Sequence, residues 1–131
     1  MISLLADHNI PHQAELIWSV FEPAEWQDLG VAQLLQFHDI GLPVTATDRE
    51  LWLTCQTRSL LLLTANRNAD GDDSLTAVIA ELNHPGALPV LTIGSGDRVV
   101  EFWYREDCAY RIADIVTRIE SLLGAARLFI P

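Results

Sequence analysis

The chain of 131 residues has the length of one ordinary domain, and half of its residues are hydrophobic, which is enough to form one core. Its net charge is −10, with 18 acidic residues against eight basic ones, all of them arginines. A surface this acidic repels phosphate backbones at long range, so the composition excludes non-specific coating of DNA. An enzyme that acts on nucleic acid would need metal ions or a local arginine cluster to offset the repulsion.

The length predicts a single domain over residues 1–131, and the amino-terminal segment, the apolar runs and the cysteines predict a cytoplasmic protein. Met1 to Asp7 contains no basic leader and meets an acid early, unlike a signal peptide. The longest apolar run, Leu60 to Leu63, is too short to cross a membrane. Cys55 and Cys108 lack metal-site spacing and are expected to be reduced thiols.

The first third of the chain predicts one strand and one helix before an unclear stretch. Residues 2–6 form an apolar run that ends at an acid, as a buried parallel strand does. A helix follows, for which Asn9 is the expected cap and Pro11 lies in the first turn. Glycines and prolines interrupt residues 22–46, where we expect a second strand or a short helix over 31–37.

The remainder alternates between helices and strands. Thr47 and Glu50 have the spacing of a capping box and predict a helix start. The further predicted elements are a strand over 60–64, a polar loop over 66–73, a helix over 74–82, a strand over 89–93, an amphipathic helix over 107–123 and an edge strand over 127–130. This alternation predicts an α/β fold, a three-layer sandwich with a mainly parallel central sheet.

Acidic side chains recur where the predicted strands end. Asp7 follows the first strand, an Asp-rich loop follows the strand over 60–64, and Asp97 follows the next strand. Asp48 opens a helix that can point at the same crevice. Ligands of open parallel sheets bind at this edge, and gathered carboxylates repel one another unless a hard cation balances them. Mg²⁺ or Mn²⁺ is the expected partner, although any single acid here could also be an ordinary loop or cap residue.

Three segments together resemble the PIN-like domain superfamily. Leu4 to Pro11 resembles the strand that delivers the first metal-binding Asp, and Thr47 to Trp52 resembles the helix start that carries the second acid. Leu60 to Thr64, followed by Ala65 to Asn68, resembles the strand ending in Thr-x-Asp-x-Asp. Their order and spacing agree with the superfamily over roughly residues 2–95.

The resemblance implies a ribonuclease that depends on Mg²⁺ or Mn²⁺, and many bacterial members resemble toxins of toxin–antitoxin pairs. It therefore implies RNA as substrate and an antitoxin-like protein as partner. Carried over residue by residue, it gives Asp7 and Asp48 as metal ligands. Asn66 and Asn68 stand where the superfamily has acids, and an amide oxygen brings no charge to a metal. The expected site thus comprises Asp7, Asp48, Asn66, Asn68 and Asp70, with Asp72 and Asp73 as further metal ligands and Arg67 at a substrate phosphate.

Two other functions remain open. The two asparagines favour a catalytically weakened PIN-like binding module. A small regulatory ion-binding domain is the other alternative, because Asn66 to Gly71 is similar to the start of a calcium loop. That loop lacks the expected Asp at its first position and has Ala77 where the twelfth residue should be Glu.

The aromatic residues predict self-association as a homodimer. Trp18 and Trp52 lie on helix faces expected to point inward. Trp26 and the run from Phe102 to Tyr104 are the candidates for an exposed interface, because buried aromatic anchors commonly dominate such contacts.

Overall fold

A computed structural model describes all residues from 1 to 131. The strands are β1 (Ile2–Ala6), β2 (Val31–Leu35), β3 (Leu60–Thr64), β4 (Val90–Ile93) and β5 (Arg127–Ile130). The helices are α1 (Pro11–Trp18), α2 (Pro23–Asp28), α3 (Asp48–Thr57), α4 (Leu75–Leu82), α5 (Phe102–Thr117) and α6 (Ile119–Leu122). Two short 3₁₀ helices span Phe37–Ile40 and Gly96–Val100.

The five strands form one sheet in the order β2-β1-β3-β4-β5, and every neighbouring pair is parallel. The chain moves outward from β1 to β2 on one side and from β3 to β4 and β5 on the other. The direction therefore switches between β1 and β3, which pair from Ser3 with Leu60 to Ala6 with Leu63. In open sheets of this kind, the crevice at the carboxyl ends of these two strands is where ligands bind.

Helices cover both faces of the sheet, which confirms the predicted three-layer α/β sandwich. Leu61 and Leu63 of β3 pack with α1, α2 and α5, whereas Leu60 and Leu62 pack with α3 and α4. Successive strand residues point to opposite faces, and all five residues of β3 are buried. A strand covered on both faces reads as a continuous apolar run rather than as an alternating one.

Helix starts follow the local sequence at α3 and α4 but not at α1. Thr47 Oγ1 accepts the Glu50 N–H at 3.1 Å, and Glu50 Oε1 accepts the Thr47 N–H at 3.2 Å, so the predicted capping box is confirmed. Ser74 caps α4 by accepting the Ala77 N–H. The prediction of an Asn9 cap is wrong, because Ile10 occupies the cap position without any side-chain cap bond.

The stretch over residues 22–46 contains more structure than its pattern predicted. Helix α2 was not expected; Glu22 and Glu25 form its capping box, and Pro23 begins it. The expected second element is the strand β2, and Phe37 begins a 3₁₀ helix directly after it. Elements of four to six residues are too short to show the hydrophobic periodicity of a helix or a strand, so the glycines and prolines of this stretch concealed them.

The long helix near the carboxyl end was predicted with both ends displaced. Helix α5 begins at Phe102, five residues before the predicted start at Asp107, and ends at Thr117. Arg118 leaves the helical conformation at φ −120°, and α6 continues after it. The early start places Phe102 and Trp103 on the surface, 63% and 52% exposed, while Tyr104 is buried.

Trp26 is buried, so its predicted role as an exposed interface anchor is wrong. Its ring is fully inaccessible and stacks on Trp18, with the ring centroids 4.7 Å apart. The indole N–H donates to the Trp18 carbonyl at 2.8 Å, which satisfies the one polar group of the side chain. Trp26 belongs to the core between α2, β2 and α1.

Both cysteines are free, as predicted, and both are buried. Burial raises the pKa of the Cys55 thiol to about 12, with a further contribution from the charge of Asp7. The pKa of Cys108 is likewise raised to about 12, chiefly by burial. Thiols of this kind stay protonated and unreactive at neutral pH. No helix combines the length and the apolar character that a membrane crossing requires.

Candidate functional site

Asp7 is a nearly inaccessible carboxylate at the end of β1. The residue is 4% exposed, and its backbone N–H continues the sheet by donating to the Leu63 carbonyl. Thr64 Oγ1 donates to Asp7 Oδ2 at 2.7 Å, and His8 Nδ1 lies 3.2 Å from Asp7 Oδ1. The ends of β1 and β3 are therefore joined by a buried hydrogen bond between side chains.

Thr64 connects Asp7 to the loop that follows β3. The residue is fully buried, and its hydroxyl accepts the Asn66 N–H at 2.9 Å while it donates to Asp7. Sequence reasoning treated Thr64 only as the end of a strand. The signal that could have found it is a hydroxyl at the end of a strand otherwise made of leucines, because a buried hydroxyl needs a partner.

Asp48 is the first residue of α3, and Asn66 faces it across the crevice. Asn66 Nδ2 and Asp48 Oδ2 lie 3.5 Å apart, at the outer limit of a hydrogen bond. Burial and then the charge of Asp7 raise the pKa of Asp48, while hydrogen bonds from the Asn66 side chain and the Leu75 backbone lower it. The structure thus brings Asp7, Asp48 and Asn66 together.

The negative charge at this crevice lacks an arginine partner. His8 Nδ1 is the one ring nitrogen near Asp7, and Asp48 takes part in no salt bridge. No group of three or more His, Cys, Asp or Glu side chains is arranged to hold a metal ion. Two carboxylates alone fit Mg²⁺ or Mn²⁺, which commonly bind proteins through one or two carboxylates and keep several waters.

The loop after β3 uses its amide oxygens for its own backbone. Asn66 Oδ1 accepts the Asn68 N–H at 2.8 Å, and Asn68 Oδ1 accepts the Asp70 N–H at 2.9 Å. These are turns of the kind that Asn favours. Both oxygens are therefore engaged in holding the loop, and Asn68 is exposed.

The three remaining acids of the loop stay at the surface. Asp70, Asp72 and Asp73 are all exposed. The charge of Asp73 acts on Arg49 of α3, whose guanidinium also pairs with Glu81. These side chains form no ligand group with the carboxylates at the ends of β1 and α3, so their predicted ligand role would need a rearrangement of the loop.

Arg67 and Asp97 line the same neighbouring opening. Both line a cavity of about 320 Å³ at the carboxyl ends of β3 and β4, and Gln13 of α1 and Ser95 border it. A second cavity of about 460 Å³ lies on the β2 side of Asp7 and is lined by His8, among others. The first of these cavities is lined by an arginine, and the second is lined by the neighbour of Asp7 in the chain.

Arg127, at the start of β5, contacts this region from the edge of the sheet. Its Nη1 donates to the Asn66 carbonyl at 2.9 Å and to Thr92 Oγ1 at 2.7 Å. Its Nη2 donates to Thr76 Oγ1 at 3.3 Å. Sequence reasoning missed Arg127, because nothing in the pattern of β5 indicates that its first side chain reaches beyond the neighbouring strand.

Comparisons with protein-family models, with curated proteins and with solved structures found no match to this chain.

Proposed function

We propose that this chain is a PIN-like ribonuclease that depends on Mg²⁺ or Mn²⁺. The observation that carries the proposal is the pair formed by Asp7 and Asp48, which has no arginine partner and lies where the sheet changes direction. Unbalanced carboxylates at such a crevice favour a hard cation. The wholly parallel sheet agrees with the fold that the sequence resemblance implies.

Each residue of the proposed site has a distinct task. Asp7, held by Thr64, and Asp48 bind the cation, and the Asn66 amide borders them. When bound, such an ion orients a phosphodiester and lowers the pKa of a coordinated water. Arg67 contacts a neighbouring phosphate through its planar guanidinium. The charge of Arg67 offsets part of the repulsion between an RNA backbone and a chain of net charge −10.

We propose further that the protein acts as the toxin-like component of a toxin–antitoxin pair in the cytoplasm, and that it forms a homodimer. The support for a dimer is the exposure of Phe102 and Trp103 at the start of α5, because large exposed aromatic groups are typical interface anchors. The support for an antitoxin-like partner is the sequence resemblance.

A PIN-like binding module without catalysis is the second candidate. The observation that favours it is the use of the Asn66 and Asn68 oxygens by the loop backbone. Neither side chain adds negative charge, so the ion is held by two carboxylates. An ion held in this way can bind a phosphate and still activate water poorly.

Cleavage of labelled single-stranded RNA separates the two candidates. The wild type, Asp7→Asn and Asp48→Asn are incubated with RNA in Mn²⁺ and in EDTA, and Asp107→Asn is the control because Asp107 is exposed on α5. The ribonuclease predicts Mn²⁺-dependent cleavage in the wild type and the control, and none in the two site variants. Binding without cleavage favours the second candidate, and cleavage that survives EDTA or both site variants contradicts the proposed site.

A further inference from the structure

We propose that Arg127 is a positioning residue for the candidate site, holding the backbone of Asn66 and thereby the amide that faces Asp48. Its relevance to catalysis rests on the proposed function, whereas the positioning itself does not. The residue lies on the edge strand β5, two strands away from β3, so the carboxyl-terminal strand would take part in organising the site.

The reach of the side chain follows from the register of the sheet. Arg127 pairs with Val90 at the start of β4. Its guanidinium contacts Thr92, two residues further along β4, and then the Asn66 carbonyl beyond the end of β3. The side chain thus runs along the sheet toward the edge where Asp7 lies, and it contacts helix α4 at Thr76 on the way.

The partners of this guanidinium are all neutral. Arg127 forms no salt bridge, although the chain has 18 acidic residues. Burial lowers its pKa, and the charge of Arg67 lowers it further. A half-buried positive charge without a carboxylate partner lowers the stability of the fold. If the only task of residue 127 were to connect β4, β5 and α4, a neutral side chain would serve as well. Several donors in a fixed plane are what an arginine adds.

Asn66 is the residue through which Arg127 acts. The Asn66 N–H donates to Thr64, its Oδ1 accepts from Asn68, and its Nδ2 faces Asp48. Arg127 holds the remaining polar group, the carbonyl. All four polar groups of Asn66 are therefore oriented, although the loop that follows is exposed. Loss of the carbonyl contact frees the peptide to rotate and moves the amide away from Asp48.

Amide hydrogen exchange and Mn²⁺ titration by NMR test the inference on Arg127→Gln, Arg127→Lys and the control Arg111→Gln. Arg111 pairs with Asp114 on the surface of α5. In Arg127→Gln we expect the amides of Asn66 and Asn68 to exchange at least about tenfold faster, while those in the sheet change by about twofold or less. Lysine restores part of the protection, because it keeps one donor group, and Arg111→Gln leaves the loop unchanged.

The Mn²⁺ titration follows the broadening of the Asn66 side-chain amide. Mutation of residues that hold metal-site side chains in place commonly lowers metal affinity by about 10–100-fold. Arg127→Gln should therefore need about tenfold more Mn²⁺ than the wild type for equal broadening. Uniformly faster exchange throughout the sheet, or an unchanged loop, would overturn the inference. If Mn²⁺ leaves the wild type unaffected, the proposed metal site fails, and the exchange data still decide whether Arg127 positions Asn66.

Discussion

The Thr64 hydroxyl donates a 2.7 Å hydrogen bond to the buried Asp7 carboxylate, joining the ends of the two strands between which the sheet changes direction. Thr64→Val keeps the shape of the side chain and removes both this donor and the acceptor of the Asn66 N–H. We expect it to lower the free energy of unfolding by about 1–3 kcal/mol, because a buried charged acceptor loses its partner. Urea unfolding followed by tryptophan fluorescence measures the change.

Thr64→Ser is the matched control for this prediction. It keeps the hydroxyl and loses one methyl group, so its cost should stay near about 1 kcal/mol. A valine variant as stable as the serine variant would show that the two hydrogen bonds of the Thr64 hydroxyl, to Asp7 and from the Asn66 N–H, contribute little.

The raised pKa of Asp48 makes stability depend on pH in a defined direction. Burial and the charge of Asp7 outweigh the hydrogen bonds from the Asn66 side chain and the Leu75 backbone and raise the pKa above its ordinary value of 3.8. The folded state therefore binds the proton more tightly than the unfolded state. This contribution is fully present below pH 3.8 and is lost as the pH rises through the folded-state pKa.

Asp48→Asn should therefore stabilise the metal-free protein at pH 7 by about 0.5 kcal/mol or less, because solvent screens this half-exposed group. The gain should shrink as the pH falls toward 3.8, where the wild-type carboxyl is protonated. Melting curves from pH 4 to 7 measure it, with Asp107→Asn as the control for net charge. A variant less stable than wild type at pH 7 in EDTA would contradict the assigned repulsion.

Trp26 and Trp103 should respond very differently to truncation. Trp26 is fully buried and hydrogen-bonded to Trp18, so Trp26→Ala should cost about 3–5 kcal/mol. Trp103 is half exposed and contacts the Arg98 guanidinium at 4.5 Å, so Trp103→Ala should cost about 1 kcal/mol or less. Chemical denaturation compares the two, and equal costs would contradict the burial of Trp26.

Self-association remains a prediction, now confined to the start of α5. Phe102 and Trp103 are exposed, so they are available as anchors of a two-fold interface. Light scattering at tens of micromolar should give a dimer for the wild type and a monomer for the double variant Phe102→Ser/Trp103→Ser. A monomeric wild type at that concentration would remove the dimer from the proposal.

The sequence predicted the fold class wherever a strand or a helix start had a recognisable residue pattern. The leucine run of β3 indicated a strand, and the acids after β1 and at the start of α3 indicated a shared crevice. The capping box at Thr47 and Glu50 could be predicted because it depends on two residues that are close in the sequence. These features supported the correct fold class and the expectation that Asp7 and Asp48 lie close together.

Features that depend on tertiary contacts could not be predicted from the sequence. The burial of Trp26 depends on its partner Trp18, and the early start of α5 at Phe102 follows no cap signal, because Glu101 makes no side-chain cap bond. The contact from Arg127 to Asn66 spans 61 positions. Nothing local to either residue encodes such a contact, so only the assembled sheet reveals it.

The most direct test of the metal site is the melting temperature with and without Mn²⁺, for the wild type, Asp7→Asn and the control Asp107→Asn. An ion that binds only the folded state at tenfold excess over its dissociation constant adds about 1.4 kcal/mol, or several degrees. With two carboxylates as ligands we expect millimolar affinity, so a rise at about 10 mM Mn²⁺ should appear in the wild type and the control and vanish in Asp7→Asn. No rise in the wild type, or the same rise in Asp7→Asn, would contradict a cation site at Asp7 and Asp48.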